Sequence, residues 1–226
     1  MTRPARSPNG LVEIALGLAC YAAYLAVRRH VWNDRGRARA RSNAARFAAF
    51  ERRVGIAVEP RVQQLALRVP GISSFLNASY AAGNVALSVG WLLLLFGRRD
   101  PAFARERSAA VAAFAGALPA FALFPTAPPR ALDGFVDTFG GPDRGLDDPR
   151  LVRFYNPIAA MPSHHLAFAT VTGLGLAARR GSRAGTAWWR AYPAAVAVVV
   201  VATANHFVVD VLAGTALGLL ARRITR

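Results

Sequence analysis

An all-α bundle of six transmembrane helices, edged by short amphipathic interfacial helices, is the fold class this sequence predicts. Three observations carry the prediction. The 226 residues are 54% hydrophobic and 18% charged, against roughly a quarter charged in a typical soluble domain. The net charge is nevertheless +16, and all 28 basic residues are arginine. Those arginines leave long stretches bare: residues 69–97, 108–129 and 154–178 carry no charge, and 191–221 carry only Asp210. A disordered polycation lacks such apolar content. A nucleic-acid binder needs a contiguous basic face, which the uncharged stretches interrupt. No nucleic-acid partner is therefore expected, whereas a bilayer is.

The elements follow in order. Residues 11–27 form an apolar run broken only by Glu13. Arg28 and Arg29 follow at once without a small-residue cleavage site, so a retained first helix is expected rather than a signal peptide. The lone cysteine, Cys20, excludes an intramolecular disulfide. The connection 28–68 holds eleven arginines. Within it Phe47, Phe50 and Val54 share a helical face. Pro60 can start a second short helix with Val62, Leu65, Ala66 and Val69 on one side. Two amphipathic helices over about 44–69 lying in the membrane interface fit this pattern; a solvated basic arm is the alternative. Residues 69–97, 108–129 and 154–178 each exceed the roughly 20 residues that span a bilayer. Residues 191–221 hold two helices with a turn near 203–205, which brings the spans to six. The chain thus reads as one integral membrane domain over 1–226, with a catalytic core at about 108–221.

Orientation comes from the arginine clusters. Arg98, Arg99, Arg105 and Arg107 lie between spans two and three. Arg179, Arg180, Arg183 and Arg190 lie between four and five, and Arg222, Arg223 and Arg226 follow span six. The positive-inside rule places all three in the cytoplasm. The loop 125–162, with five of the twelve acidic residues, then faces outward. The expected location is the plasma (inner) membrane. The basic connection 28–68 falls on the outer side, against the rule.

Ionisable groups at membrane depth are costly and usually functional. His164 and His165 stand at the start of span four, and His206 and Asp210 near the start of span six. On a helix the last two share a face. The carboxylate can then accept from one imidazole nitrogen and leave the other as a base or nucleophile. Ser163, after Pro162, can cap a helix whose first N–H groups suit an anion. The segment Pro125-Thr-Ala-Pro-Pro-Arg130 is a rigid exit that holds Arg130 at the outer surface, where a guanidinium suits phosphate.

Pro162-Ser163-His164-His165 resembles the P-S-x-H motif of the type 2 phosphatidic acid phosphatase superfamily. His206-Phe-Val-Val-Asp210, leading to Gly214, resembles its H-x3-D motif. The flanking Phe124–Arg130 and Tyr155–Ser163 text is similar to the branch that includes inositol phosphorylceramide synthases. The resemblance implies hydrolysis of a lipid-linked phosphate or diphosphate at the extracytoplasmic face, or transfer of a phosphoryl-containing head group to an alcohol such as an inositol. It implies that His206 attacks phosphorus, that Asp210 orients it, and that His165 protonates the leaving alcohol, without metal or cofactor. Phosphate binding falls to Ser163, Arg130, then Arg153, with His164 either touching substrate or standing behind it. The family's K-x6-R-P lysine is missing, as is the arginine six positions before its histidine, where Val200 stands. A structural His206–Asp210 pair, a metal site on the histidines, and a non-enzymatic lipid transporter are the competing readings. Gly214 and Gly218 form a G-x-x-x-G helix-packing pattern. Lipid identity, acceptor and oligomeric state are not legible in the sequence.

Overall fold

A computed structural model describes residues 9–138, 152, 155–179 and 182–225, and among these it is helical with no strands. Helix α1 (Gly10–Val31) is capped by Asn9, whose side chain accepts from the Leu11 amide. Helix α2 (Asp34–Val54) is capped by Asn33 and stopped by Gly55, which takes φ 77°, a left-handed conformation that glycine adopts at little cost. Helix α3 (Glu59–Leu67) starts with proline in its first turn. Helix α4 (Ile72–Gly97) passes through a π-turn at Ser79–Gly83. Helix α5 (Phe103–Leu123) follows, then α6 (His164–Ala177), α7 (Arg183–Ala202) and α8 (Val208–Ile224).

The prediction of an all-α chain is met. The helical hairpin expected in 191–221 is present, with its turn at 203–207. Two helices, α1 and α4, are long and apolar enough to cross a membrane by length and composition. The uncharged stretch 154–178 is not one long helix. Its described first part, 155–163, is an irregular loop with a cis Met161–Pro162 bond, and only the 14 residues of α6 are helical. Both parts lack charge because both are buried. Helix α6 is the central element, packed by α4, α5, α7 and α8, and ten of its residues are buried.

Close approach to that centre depends on two glycines. A Cβ on Gly214 would stand 2.3 Å from the Ser163 carbonyl oxygen, and one on Gly218 2.7 Å from that of Ala167. Helix α8 can therefore lie directly on α6, as the G-x-x-x-G spacing suggests.

The arginine-rich connection is ordered as two helices, and the first is longer than the periodicity indicated, starting at Asp34 rather than near 44. Its inner face is Ala40, Asn43, Ala44 and Glu51, all buried, at the three-to-four-residue spacing of an amphipathic helix. Arg35, Arg39, Arg41, Arg46, Arg52 and Arg53 point outward. Asn43 Nδ2 donates to the Pro125 carbonyl at 2.9 Å, and the Ala127 amide donates to Ala40 O at 3.1 Å. A single bridge, Thr126 with Ala159, ties the 125–130 exit to the loop before α6. The helix is thus strapped across the end of the bundle where α6 and α8 begin.

Candidate active site

The turn between α7 and α8 is tight. Ala204 adopts φ 50°, and the amides of Asn205 and His206 both donate to Val200 O, at 3.0 and 3.2 Å. His206 precedes α8 rather than lying on it, so it does not share a helical face with Asp210 as the spacing suggested. The two meet through capping. Asp210 is the third residue of α8, and its Oδ2 reaches back to accept from the Phe207 amide at 2.9 Å. This sets Oδ2 3.5 Å from His206 Nδ1. The nearer partner of Nδ1 is the Ala160 carbonyl, at 3.0 Å.

That carbonyl can only accept, so the ring hydrogen sits on Nδ1 and the Nε2 lone pair is bare. His206 Nε2 is buried with no hydrogen-bond partner, and so is Asp210 Oδ1. Buried polar atoms are almost always satisfied, so two orphaned atoms in one turn make this a candidate site. His206 lines a cavity of about 320 Å³ together with His165, His164, Arg130, Asn205 and Tyr155.

His165 enters from α6. Its Nε2 lies 3.0 Å from the Tyr80 carbonyl, and its ring stacks on Tyr80 at 4.2 Å and stands 5.9 Å from the His206 ring. Tyr80 belongs to the π-turn of α4. Such turns disturb the regular ladder and recur at functional sites; this one presents a carbonyl to the histidine. His164 points elsewhere. Its Nε2 is 3.2 Å from Phe114 O, and its ring stacks on Phe114 and meets Phe121 edge-on. It forms an aromatic wall of the cavity.

Arg130 sits in a short 3-10 turn, Pro129–Ala131, and is 8% exposed. Its Nε donates to Asn205 Oδ1 at 2.8 Å and its Nη1 to Asp137 at 3.2 Å. Burial works against its charge, but Tyr155, Asp137 and Tyr80 outweigh burial and raise its pKa above the ordinary value. Ser163 caps α6 as expected, its Oγ accepting from the Leu166 amide at 3.3 Å. It is fully buried and is not among the cavity-lining residues. Arg153 lies outside the described residues. Among the described residues no three His, Cys, Asp or Glu side chains converge as a metal site.

Some participants were not foreseen. Asn205 orients Arg130, and Tyr24 accepts from the Asn156 amide at 2.6 Å at the cavity wall. Glu51 and Glu59 cap α8: Glu51 Oε1 accepts from the Val209 amide at 2.7 Å and Glu59 Oε1 from Val208 at 2.8 Å. One signal for them was present, since they are the only acidic residues between Asp34 and Asp100.

The sequence pattern of the PAP2 superfamily matches residues 45–224, a range that includes α3 to α8, the second half of α2 and every described residue of the site except Tyr24. The chain belongs to the PAP2 superfamily. Membership supports a phosphatase-type phosphoesterase. It also sets the cavity in context, because the PAP2 match runs through Pro162–His165 and His206–Asp210, the segments whose histidines meet there. No curated protein and no solved structure matches the chain.

Proposed function

We propose that this PAP2 protein is an integral membrane phosphoesterase that hydrolyses a lipid-linked phosphate or diphosphate through a phosphohistidine on His206. The single observation that supports this most is the bare, buried Nε2 of His206, a residue that lines a cavity together with His165 and Arg130. In the first step Nε2 bonds to phosphorus and the bond from phosphorus to the lipid oxygen breaks. His165 gives that oxygen a proton, the leaving oxygen replacing the Tyr80 carbonyl as partner of Nε2. Arg130 offsets charge on the phosphoryl oxygens. Asp210 stabilises the ring as it becomes cationic. Water then attacks phosphorus and passes a proton back to His165 as the bond from phosphorus to Nε2 breaks, which releases phosphate and restores both histidines. Ser163 contributes by capping the helix that carries His165.

A membrane setting is supported by the outward side chains. Leu11, Ile14 and Leu18 on α1, Val89 and Leu93 on α4, Leu123 on α5, Val198 on α7 and Leu212 and Leu219 on α8 are all exposed. Soluble monomers rarely carry so extended an apolar surface. In this reading α1, α4, α5, α7 and α8 cross the bilayer around the shorter, buried α6, whose 14 residues together with the buried loop before it make the sixth pass, and α2 and α3 lie at the outer interface. The arginines at the opposite end face the cytoplasm, so the cavity opens outside it.

Purified protein in detergent, assayed against lipid monophosphates, polyprenyl diphosphates and acceptor alcohols, tests the reaction. Phosphate release in plain buffer is expected. Turnover only with an inositol-type acceptor would make the protein a transferase, and no turnover of any lipid phosphate would sink the proposal.

A further inference from the structure

Two carboxyl groups stand behind the His206 turn, and the reaction as written uses neither. Glu51 from α2 and Glu59 from α3 are 0% and 2% exposed. Each accepts from one of the first two amides of α8, Val209 and Val208. These are donors that a helix start leaves without internal partners. The next residue is Asp210, whose carboxylate approaches His206. The pair therefore grips the turn that sets the distance between Asp210 and the imidazole.

Their mutual chemistry is also specific. Glu51 Oε2 is buried without a hydrogen-bond partner, and among the neighbouring side chains Glu59 does most to raise the Glu51 pKa. Two buried carboxylates side by side repel, so such a pair holds one proton between them. Two of the ionisable groups that act most on Glu51 are Glu59 on α3 and Asp210 on α8, both acidic. A third negative charge is unwelcome there. The Glu51 pKa is accordingly pushed up to about 8, first by burial and then by Glu59.

We propose that Glu51 and Glu59 are positioning residues that share one proton and hold the first turn of α8, and through Asp210 the His206 ring, in register for attack. The proposal rests on His206 being the nucleophile. It gives the arginine-rich segment a second role, because α2 and α3 deliver these two carboxyl groups across the mouth of the bundle. Below the Glu51 pKa the shared proton is present and the grip is intact. As pH rises through about 8 Glu51 loses its proton, the turn loosens, and the rate falls.

The test uses the full-length protein in detergent with para-nitrophenyl phosphate and a short-chain phosphatidic acid as probes. Glu51→Ala should lower kcat roughly 10- to 100-fold with KM changed little, the loss expected for a hydrogen bond to an ionisable group. Glu51→Gln can still accept from Val209 and donate to Glu59. It should recover most of kcat and no longer lose rate as pH rises through about 8. Amide exchange at Val208 and Val209 should quicken in Glu51→Ala and not in Glu51→Gln. Wild-type kcat and pH profile in Glu51→Ala, or the same alkaline fall in Glu51→Gln, overturns the proposal. His206→Ala separates the two levels. Its inactivity alongside an unaffected Glu51→Ala defeats the positioning role alone, whereas its full activity defeats the nucleophile assignment as well. Should Glu51→Ala not fold, the pH profile of Glu51→Gln still decides.

Discussion

The two ends of the helical bundle hold their buried glutamates differently. At the end where α5 begins and α6 and α8 finish, acids are matched by arginines. Glu106, 2% exposed, receives Arg222 at 2.8 Å and Arg105 at 3.0 Å. Asp100 is held by Arg179, and Glu13 by Arg107 at 2.6 Å. At the cavity end Arg130 pairs with Asp137 at 3.2 Å, but Asp210, Glu51 and Glu59 lean on backbone amides, and His206 Nε2, Asp210 Oδ1 and Glu51 Oε2 are left without partners. Closed pairs hold helices together. Open valences in a buried cavity cost stability and are retained where a ligand completes them. The contrast separates the scaffold from the site without reference to any motif.

Mutations should divide along the same line. The largest effect is expected from His206→Ala, a fall in phosphate release of about 10⁴-fold, or roughly 5.5 kcal/mol of barrier, with the unfolding midpoint unchanged. Next is Glu106→Ala, which strands Arg222 in a buried setting. Breaking such a pair costs roughly 3–5 kcal/mol, read as loss of thermal stability, while kcat per folded molecule stays at the wild-type value. A loss of kcat there would erase the distinction between the ends. Arg130→Lys keeps the charge but cannot reproduce the planar fork, so kcat/KM should drop roughly 10- to 100-fold, without the stability loss of Glu106→Ala. The smallest effect belongs to Asp34→Asn. It removes an exposed pair with Arg37 and should change stability by less than about 0.5 kcal/mol and activity not at all.

Much of this arrangement was legible in the residues, for physical reasons that can be named. Helices reveal themselves by local periodicity and caps: Ser163, readable as a cap after Pro162, accepts from an early amide of α6, and Asn9, Asn33 and Ser182 do the same for their helices without having been singled out. The hairpin in 191–221 was visible because a stretch that long and apolar must turn back. The convergence of His165 and His206 was legible only as a resemblance to a family, since nothing local dictates that two histidines 41 residues apart should meet. The His206–Asp210 contact was foreseen with the wrong cause. The i, i+4 spacing pointed to a shared helical face, whereas the actual link is a side-chain cap across the first turn of α8. The 154–178 stretch misled for a similar reason, because burial removes charge from a loop as effectively as from a span. Glu51, Glu59 and the Tyr80 carbonyl act through tertiary contacts over long sequence separations, and local pattern carries no record of their partners.

The 28–68 segment shows the limit of charge counting. Its eleven arginines break the positive-inside rule if the segment is a loop. The structure instead makes most of it a helix with an apolar-and-acid inner face, docked on the exit from α5 and on the start of α8. Its outward arginines border the cavity end, where an anionic lipid phosphate would arrive under the proposed function, and steering of this kind raises encounter rates.

The central claim is that His206 Nε2 takes the phosphoryl group. Rapid quenching of the protein during turnover of a radiolabelled lipid phosphate, under alkaline conditions that preserve phosphohistidine, measures this directly. The account predicts an acid-labile phosphoryl label on the peptide carrying His206, formed and consumed at the rate of turnover and missing from His206→Ala. Steady turnover with no covalent label, or a label on any other residue, would contradict it.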